Sequence, residues 1–221
     1  MTKLDKITRL AEKAEAKSEK RARKKDELAD HAITALKQLG YARTSLRDIA
    51  EMSGVAVGTL HYYFEDKVDL ITYCVRRYKV GFVADMGWIL ASDVPPDQLA
   101  DRFIKGLSLS IRRDAETHRL WYDIRTQAMF DPVFEEVVAE IEDGLVNLVA
   151  TFLGRVGGTQ VQARSTYLVL DACFRFHLQS FLKGDKDAPA GFERDVAEFL
   201  GRDLRCSCRD ARQCVGVVRT S

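Results

Sequence analysis

The chain has 221 residues, 46% apolar and 30% charged, with a net charge of +1. That length supports one large domain, or a small domain joined to a larger one, around a core that needs neither disulfide nor metal. The composition excludes a disordered or fibrous chain, no run approaches ~18 consecutive apolar residues as a membrane-spanning helix requires, and four prolines among 221 residues favour long helices.

Residues 1–25 carry ten basic and four acidic side chains and no apolar stretch of the kind a signal peptide needs, so a cytoplasmic location is expected. They read as a basic N-terminal arm that extends a helix, with Asp5–Arg9 and Glu19–Arg23 at i,i+4 spacing, frayed when free. The bias reaches further. Residues 1–80 hold 17 Lys/Arg against 12 Asp/Glu, whereas residues 81–221 hold 17 against 21, which points to a polyanion partner for one end only.

From Asp26 a firmer helix is predicted, with Leu28, Ala32, Leu36 and Leu39 as one buried stripe and Gly40 as its end. Ser45 and Asp48 have capping-box spacing before a short helix carrying Leu46, Ile49 and Ala50. Gly54 permits a tight turn, Val55 plugs the space between helices, and a third short helix buries Leu60 and Phe64. Two short helices about a Gly turn, braced by a longer one, outline a helix-turn-helix over residues 26–66. With Leu60 and Phe64 inside, Val57, Gly58, His61 and Tyr62 face outward, where a helix in the major groove reaches base edges. Thr44 lies at a helix start, where a hydroxyl and free N–H groups suit a phosphate.

Asp66 caps a fourth helix from Lys67, and Pro95-Pro96 breaks it. Further helices are expected over 97–113 and 116–130. Another begins at the restart Asp131-Pro132 and ends at Gly157-Gly158, followed by one over 160–183 and a last one from Phe192 after a loop at 184–191. Strand-like alternation is absent, so the chain is all-α, with about nine helices. The second part, 67–205, is the candidate ligand-binding and dimerisation domain. Its aromatic side chains suit an apolar pocket lined by Trp88, Phe103, Leu107, Trp121, Tyr122, Met129, Phe130, Tyr167 and Phe174, with Arg125, Gln127 or His177 to fix polar groups. The helix at 160–183 is apolar nearly all round and needs a second cover. Leu168, Ala172, Phe176 and Gln179, with Val196, Phe199 and Leu200 of the last helix, are the expected two-fold four-helix interface.

The segment from Gly40 to Ala50, then Gly54-Val55, Gly58-Thr59-Leu60, Tyr62, Phe64, Lys67 and Leu70, resembles the helix-turn-helix of TetR-family transcriptional regulators. The resemblance implies a regulator of transcription, a repressor released from its operator by a small-molecule ligand. It implies phosphate contacts from Thr44, Tyr62 and Lys67, with Ser45 at the same helix start, and groove-facing roles for Arg47, Thr59 and His61. It also implies a homodimer on a pseudo-palindromic duplex and no cofactor. The family's usual Ser-Lys opening of the recognition helix is Ala56-Val57 here, which removes a side-chain cap and leaves Val57 to meet a thymine methyl. His61 and Tyr63 stand where Tyr and His are usual.

Two other readings follow from the residues. Cys206, Cys208 and Cys214, in a tail at 206–221, suit a soft metal or an oxidant, though a fourth ligand is not evident. Glu135, Glu136, Glu140 and Glu142, with His118, Asp123 and His177, supply acid–base groups for a helical enzyme, but no nucleophile motif or phosphate-cradling Gly loop accompanies them.

Overall fold

The computed structural model of the protein describes the backbone of residues 3–214 and the side chains of 8–9, 12–159 and 161–201. Among the described residues the chain is built from nine α-helices and contains no strand. They are α1 (Lys3–Leu39), α2 (Leu46–Met52), α3 (Val57–Tyr63), α4 (Lys67–Leu90), α5 (Pro96–Arg113), α6 (Ala115–Gln127), α7 (Glu135–Val156), α8 (Ala163–Leu182) and α9 (Ala188–Cys214). The all-α expectation therefore holds. Two compact units divide the chain, Met1–Arg76 and Arg77–Ser221. Helix α4 runs without interruption across the boundary.

In the first unit, Leu28, Ala32, Ile49, Leu60, Phe64 and Leu70 form one buried cluster contributed by α1, α2, α3 and the start of α4. Each such leucine or phenylalanine contributes ~1.5–3 kcal/mol by leaving water. The links between the short helices are set by Gly40 and Gly54, which sit at φ +76° and +64° in the left-handed region that L side chains avoid. Helix α2 starts with the expected capping box. The Ser45 hydroxyl accepts from the Asp48 N–H at 3.2 Å, while the Asp48 carboxylate accepts from the Ser45 N–H at 2.7 Å. Helix α3 starts at Ala56 with no side-chain cap, as the missing serine predicts. Leu39, expected to complete the buried stripe, is exposed, because it lies in the last turn before the chain swings away at Gly40.

The arm expected over 1–25 is, from Lys3 onward, the first half of α1. No proline or glycine interrupts residues 3–39, and Ala, Glu, Lys and Arg dominate the first turns, so nothing in the sequence breaks the helix.

In the second unit, α5, α7, α8 and α9 pack on one another, with α6 laid on α5 and α8. Phe103 of α5 stacks on Phe152 of α7 with ring centroids 4.4 Å apart. Several boundaries differ from expectation: α6 stops at Gln127, short of residue 130, and a 3-10 turn, Gln160–Gln162, precedes α8. Asp131 caps a single 3-10 turn, Pro132–Phe134, by accepting from the Val133 N–H at 3.1 Å, and α7 follows from Glu135. Helix α9 starts at Ala188, four residues before Phe192, because Pro189 fits a first helical turn whose N–H groups have no helical acceptor. The α9 backbone continues through Cys214. The side chains of Cys206, Cys208 and Cys214 lie outside the described residues, so the metal and oxidant reading falls there too.

Candidate functional site

In the first unit, α3 presents Gly58, His61 and Tyr62 to solvent, with Tyr62 65% exposed. Arg47 on α2 is exposed and Thr59 is half-buried. Val57 corrects the sequence reading: its side chain packs against the three-helix core. Positions 57, 60 and 64 fall on one side of a helix, so Val57 shares the inner face with Leu60 and Phe64. A thymine-methyl contact from Val57 does not follow from that orientation.

The residues expected at phosphates have different freedom. Thr44 is buried, and its hydroxyl donates to the Gly40 carbonyl at 2.5 Å, so this side chain braces the turn before α2. The Ser45 hydroxyl donates to Asp48 at 2.6 Å, and that hydrogen bond holds the Asp48 carboxyl below its ordinary range. Lys67 donates to the Tyr41 carbonyl at 2.6 Å with its ammonium 4.1 Å from the Tyr41 ring centroid. It ties the start of α4 to the turn between α1 and α2. Tyr62 is the most open of the set. Its ring meets Tyr63 edge-on at 4.9 Å and carries the Arg21 guanidinium 5.5 Å from its centroid.

That last contact reveals a feature the sequence reading missed. Lys17, Lys20, Arg21, Arg23 and Lys24 of α1, with Tyr62 and Tyr63 of α3, line one open groove. The signal is local: positions 17, 20, 21 and 24 follow the spacing that puts side chains on one helix face.

In the second unit, a narrow cavity of about 60 Å³ lies among α4 to α8. Of the residues expected to line a pocket, Phe103, Leu107, Tyr122, Tyr167 and Phe174 do so. Trp121 is buried nearby without lining it. Trp88, Met129 and Phe130 are exposed and stand apart from it, because α4 and the end of α6 turn those positions outward. Arg125, expected to fix a polar group there, does not line the cavity; it donates to the lining residue Asp171 at 2.5 Å and pairs with Glu142 at 2.6 Å. His177 pairs with Asp195 at 2.8 Å, away from the cavity.

The cavity holds two polar groups that the sequence does not place in a pocket. His118 lies within 3.2 Å of both the Tyr78 and the Ser110 hydroxyls. Burial, and then the charge of Lys79, hold its pKa well below the usual histidine range, so it is neutral. Lys79 is 4% exposed and lines the cavity. Burial lowers its pKa from 10.5 to about 7, with Asp171 opposing that fall. The sequence marks Lys79 as a basic residue four after Val75 and three before Phe82, on an otherwise apolar face.

The acid–base set does not assemble: His118 and His177 have separate partners, Glu142 is paired with Arg125, and Glu135, Glu136 and Glu140 are on the solvated side of α7. Among the described residues no cluster of three His, Cys, Asp or Glu has the arrangement of a metal site, and no helix is long and apolar enough to cross a membrane. On α8, Leu168, Ala172, Phe176 and Gln179 are not covered by their own chain, Phe176 being 64% exposed. On α9, Phe199 is half-buried, but Val196 and Leu200 are 1% and 3% exposed. Those two leave the expected interface because they face inward, where α9 covers α5 and α8.

Residues 28–74 match the family model of bacterial regulatory proteins, tetR family. A curated relative, the HTH-type transcriptional regulator BetI of Proteus mirabilis (strain HI4320), is 23% identical over 111 residues, which is 49% of this chain and 56% of that protein. The chain thus spans little more than half the length of that relative. Among solved structures, a TetR transcription regulator from Haloarcula marismortui superposes with a TM-score of 0.70 at 16% identity, over 82% of this chain and 98% of that one. The transcriptional regulator FadR from Bacillus subtilis, in complex with stearoyl-CoA, superposes with a TM-score of 0.64 at 19% identity, over 79% and 96%.

Proposed function

We propose that this chain, which belongs to the tetR family of bacterial regulatory proteins through its N-terminal domain, is a cytoplasmic, dimeric DNA-binding repressor released from its operator by a small-molecule ligand. The observation that carries the reading is the surface of the first unit: an outward α3 bearing Gly58, His61 and Tyr62 beside the basic face of α1. Gly58 lets the backbone approach a base edge closely. His61 reaches into the groove, and Thr59 offers a half-buried hydroxyl beside it. The exposed Arg47 faces the groove from α2, and Tyr62 and Lys67 supply donors to phosphates on either side. Thr44 and Ser45 act indirectly, by fixing the turn and the start of α2.

A two-fold dimer presents two such helices about one DNA turn, ~34 Å, apart on a pseudo-palindromic duplex. The open apolar stripe of α8, with Leu168, Ala172, Phe176 and Gln179, is the surface through which the second copy docks, and the half-buried Phe199 of α9 borders it. The second unit's cavity is the effector site, with Phe103, Leu107, Tyr122, Tyr167 and Phe174 in its walls. An effector lowers operator affinity by as much as it prefers the conformation that does not fit the duplex. The continuity of α4 between the two units gives that preference a covalent route.

The test selects bound duplex from a genomic library and measures its affinity by fluorescence anisotropy. Tyr62→Ala is expected to weaken binding at least tenfold while leaving the melting temperature within ~1 °C, since its ring is largely in solvent and surface changes cost little. Undiminished binding by Tyr62→Ala, or failure to select any duplex, overturns the reading.

A further inference from the structure

We infer that the cavity of the second unit is built for an amphiphilic acid, whose apolar body lies against Phe103 and Phe174 and whose anionic head meets the ammonium of Lys79. This rests on the cavity being the effector site and names the chemistry it accepts.

The argument starts from charge. Two basic and two acidic side chains lie in or beside the cavity, and three of them, Arg125, Asp171 and Glu142, are joined in one chain of direct contacts that leaves Lys79 out. Asp171 accepts from Arg125 at 2.5 Å and from the Tyr122 hydroxyl at 2.9 Å, and Arg125 is completed by Glu142 at 2.6 Å. Lys79 makes no ion pair with any described residue. Its ammonium lies 5.0 Å from the Trp121 ring, 5.1 Å from Phe82 and 5.6 Å from Tyr78. Ring faces attract a cation but offset only part of what it loses on leaving water. A second group points the same way. Tyr167 lines the cavity, and its hydroxyl is buried without a hydrogen-bond partner. Asp171 attracts the ammonium only from a distance, so a carboxylate or similar head would give it a counter-charge in direct contact, and the Tyr167 hydroxyl in the same lining can donate to such a head. The remaining wall is almost wholly hydrocarbon and aromatic, so the rest of the ligand is apolar. A cationic head set against Lys79 would meet a like charge, and a neutral one would leave the ammonium without a counter-charge in direct contact.

Proton uptake gives a readout that needs no variant. Burial holds part of the Lys79 population neutral near pH 7.5, and an anionic head draws it to the charged form. The titratable groups facing Lys79 are Asp171, Arg125, His118 and the tyrosines 78, 122 and 167. Arg125 stays charged at that pH, burial keeps His118 neutral, and burial keeps the three tyrosines protonated. Uptake therefore reports Lys79.

The experiment titrates the full chain with octanoate, octan-1-ol and octylammonium by calorimetry at pH 7.5 in two buffers of different ionisation heat, and repeats it with Lys79→Met. Operator affinity of the ligand-free protein is measured alongside. Octanoate is expected to bind at least tenfold more tightly than either analogue and to take up a fraction of a proton. Lys79→Met is expected to lose at least tenfold in octanoate affinity while keeping or improving that for octan-1-ol. Equal binding of acid and alcohol, a preference for octylammonium, no binding of any octyl probe, or an octanoate preference that survives Lys79→Met would each overturn the assignment. Uptake of no proton by the wild type overturns it even if Lys79→Met fails to fold. Loss of operator binding with the octanoate preference intact refutes the regulator and leaves the ligand class standing.

Discussion

Lys79 is a charge placed where water does not reach, and this has a consequence for stability before any ligand is considered. An unfolded lysine titrates near 10.5, whereas burial brings this one to about 7. Between those values the unfolded chain binds more protons than the folded one, so stability rises with pH across that window. Below pH 7 both states hold the proton and the folded state bears the whole penalty, on the order of a few kcal/mol. His118 acts in the same direction at lower pH, because its folded pKa is also depressed. The wild type is therefore expected to gain ~3 kcal/mol in unfolding free energy from pH 6 to pH 9 through Lys79. Lys79→Met is expected to be the more stable protein at pH 6 and to lose that slope. Urea unfolding of the two proteins at both pH values checks this, and parallel pH profiles would show that Lys79 is not the source.

At the scale of elements, the short helices are legible because their signals are local. The Ser45–Asp48 box, the Gly40 and Gly54 turns and the inward Leu60 and Phe64 are encoded within a few residues of where they act. Val57 is not legible in the same way, because it opens its helix and only one-sided packing with Leu60 decides which way it faces. The first half of α1 is legible as basic, but charge counting alone does not distinguish a loose arm from one face of a helix. As a 37-residue helix, α1 holds Lys17, Lys20, Arg21 and Lys24 in fixed register beside Tyr62. A fixed row of cations releases counterions from DNA in proportion to the phosphates it meets. Replacing Lys17, Lys20 and Arg21 with Glu is expected to weaken operator binding more than tenfold at about 100 mM salt, the regime in which phosphate pairing dominates affinity. It should also make the slope of log affinity against log salt shallower by ~0.9 for each phosphate the variant no longer neutralises. Anisotropy titrations from about 50 to 200 mM salt measure both. An unchanged slope would mean that this face lies away from the duplex.

Across the whole molecule, the question is which apolar faces one copy covers for itself. Periodicity shows that α8 and α9 each carry more apolar surface than one neighbour can cover, but it does not say whether the cover comes from the same chain. Val196 and Leu200 turn out to be internal, sealed against α5 and α8, whereas Leu168, Ala172 and Phe176 remain open along α8. An isologous two-fold interface uses each open position twice, so one charged substitution enters it twice. Phe176→Glu should leave the fold of the single chain intact, because the ring is 64% exposed and its removal creates no cavity. In the dimer the same change removes two buried aromatic rings, each worth ~1.5–3 kcal/mol, and buries two like charges. Sedimentation at micromolar concentration is expected to give the mass of one chain for Phe176→Glu and of two for the wild type. Operator affinity should fall by at least tenfold, because a single head engages one half-site. A dimer that survives Phe176→Glu would move the two-fold axis off this stripe. Monomers that kept full operator affinity would show that one helix-turn-helix suffices, with the α1 row supplying the phosphate pairing otherwise expected of the second head.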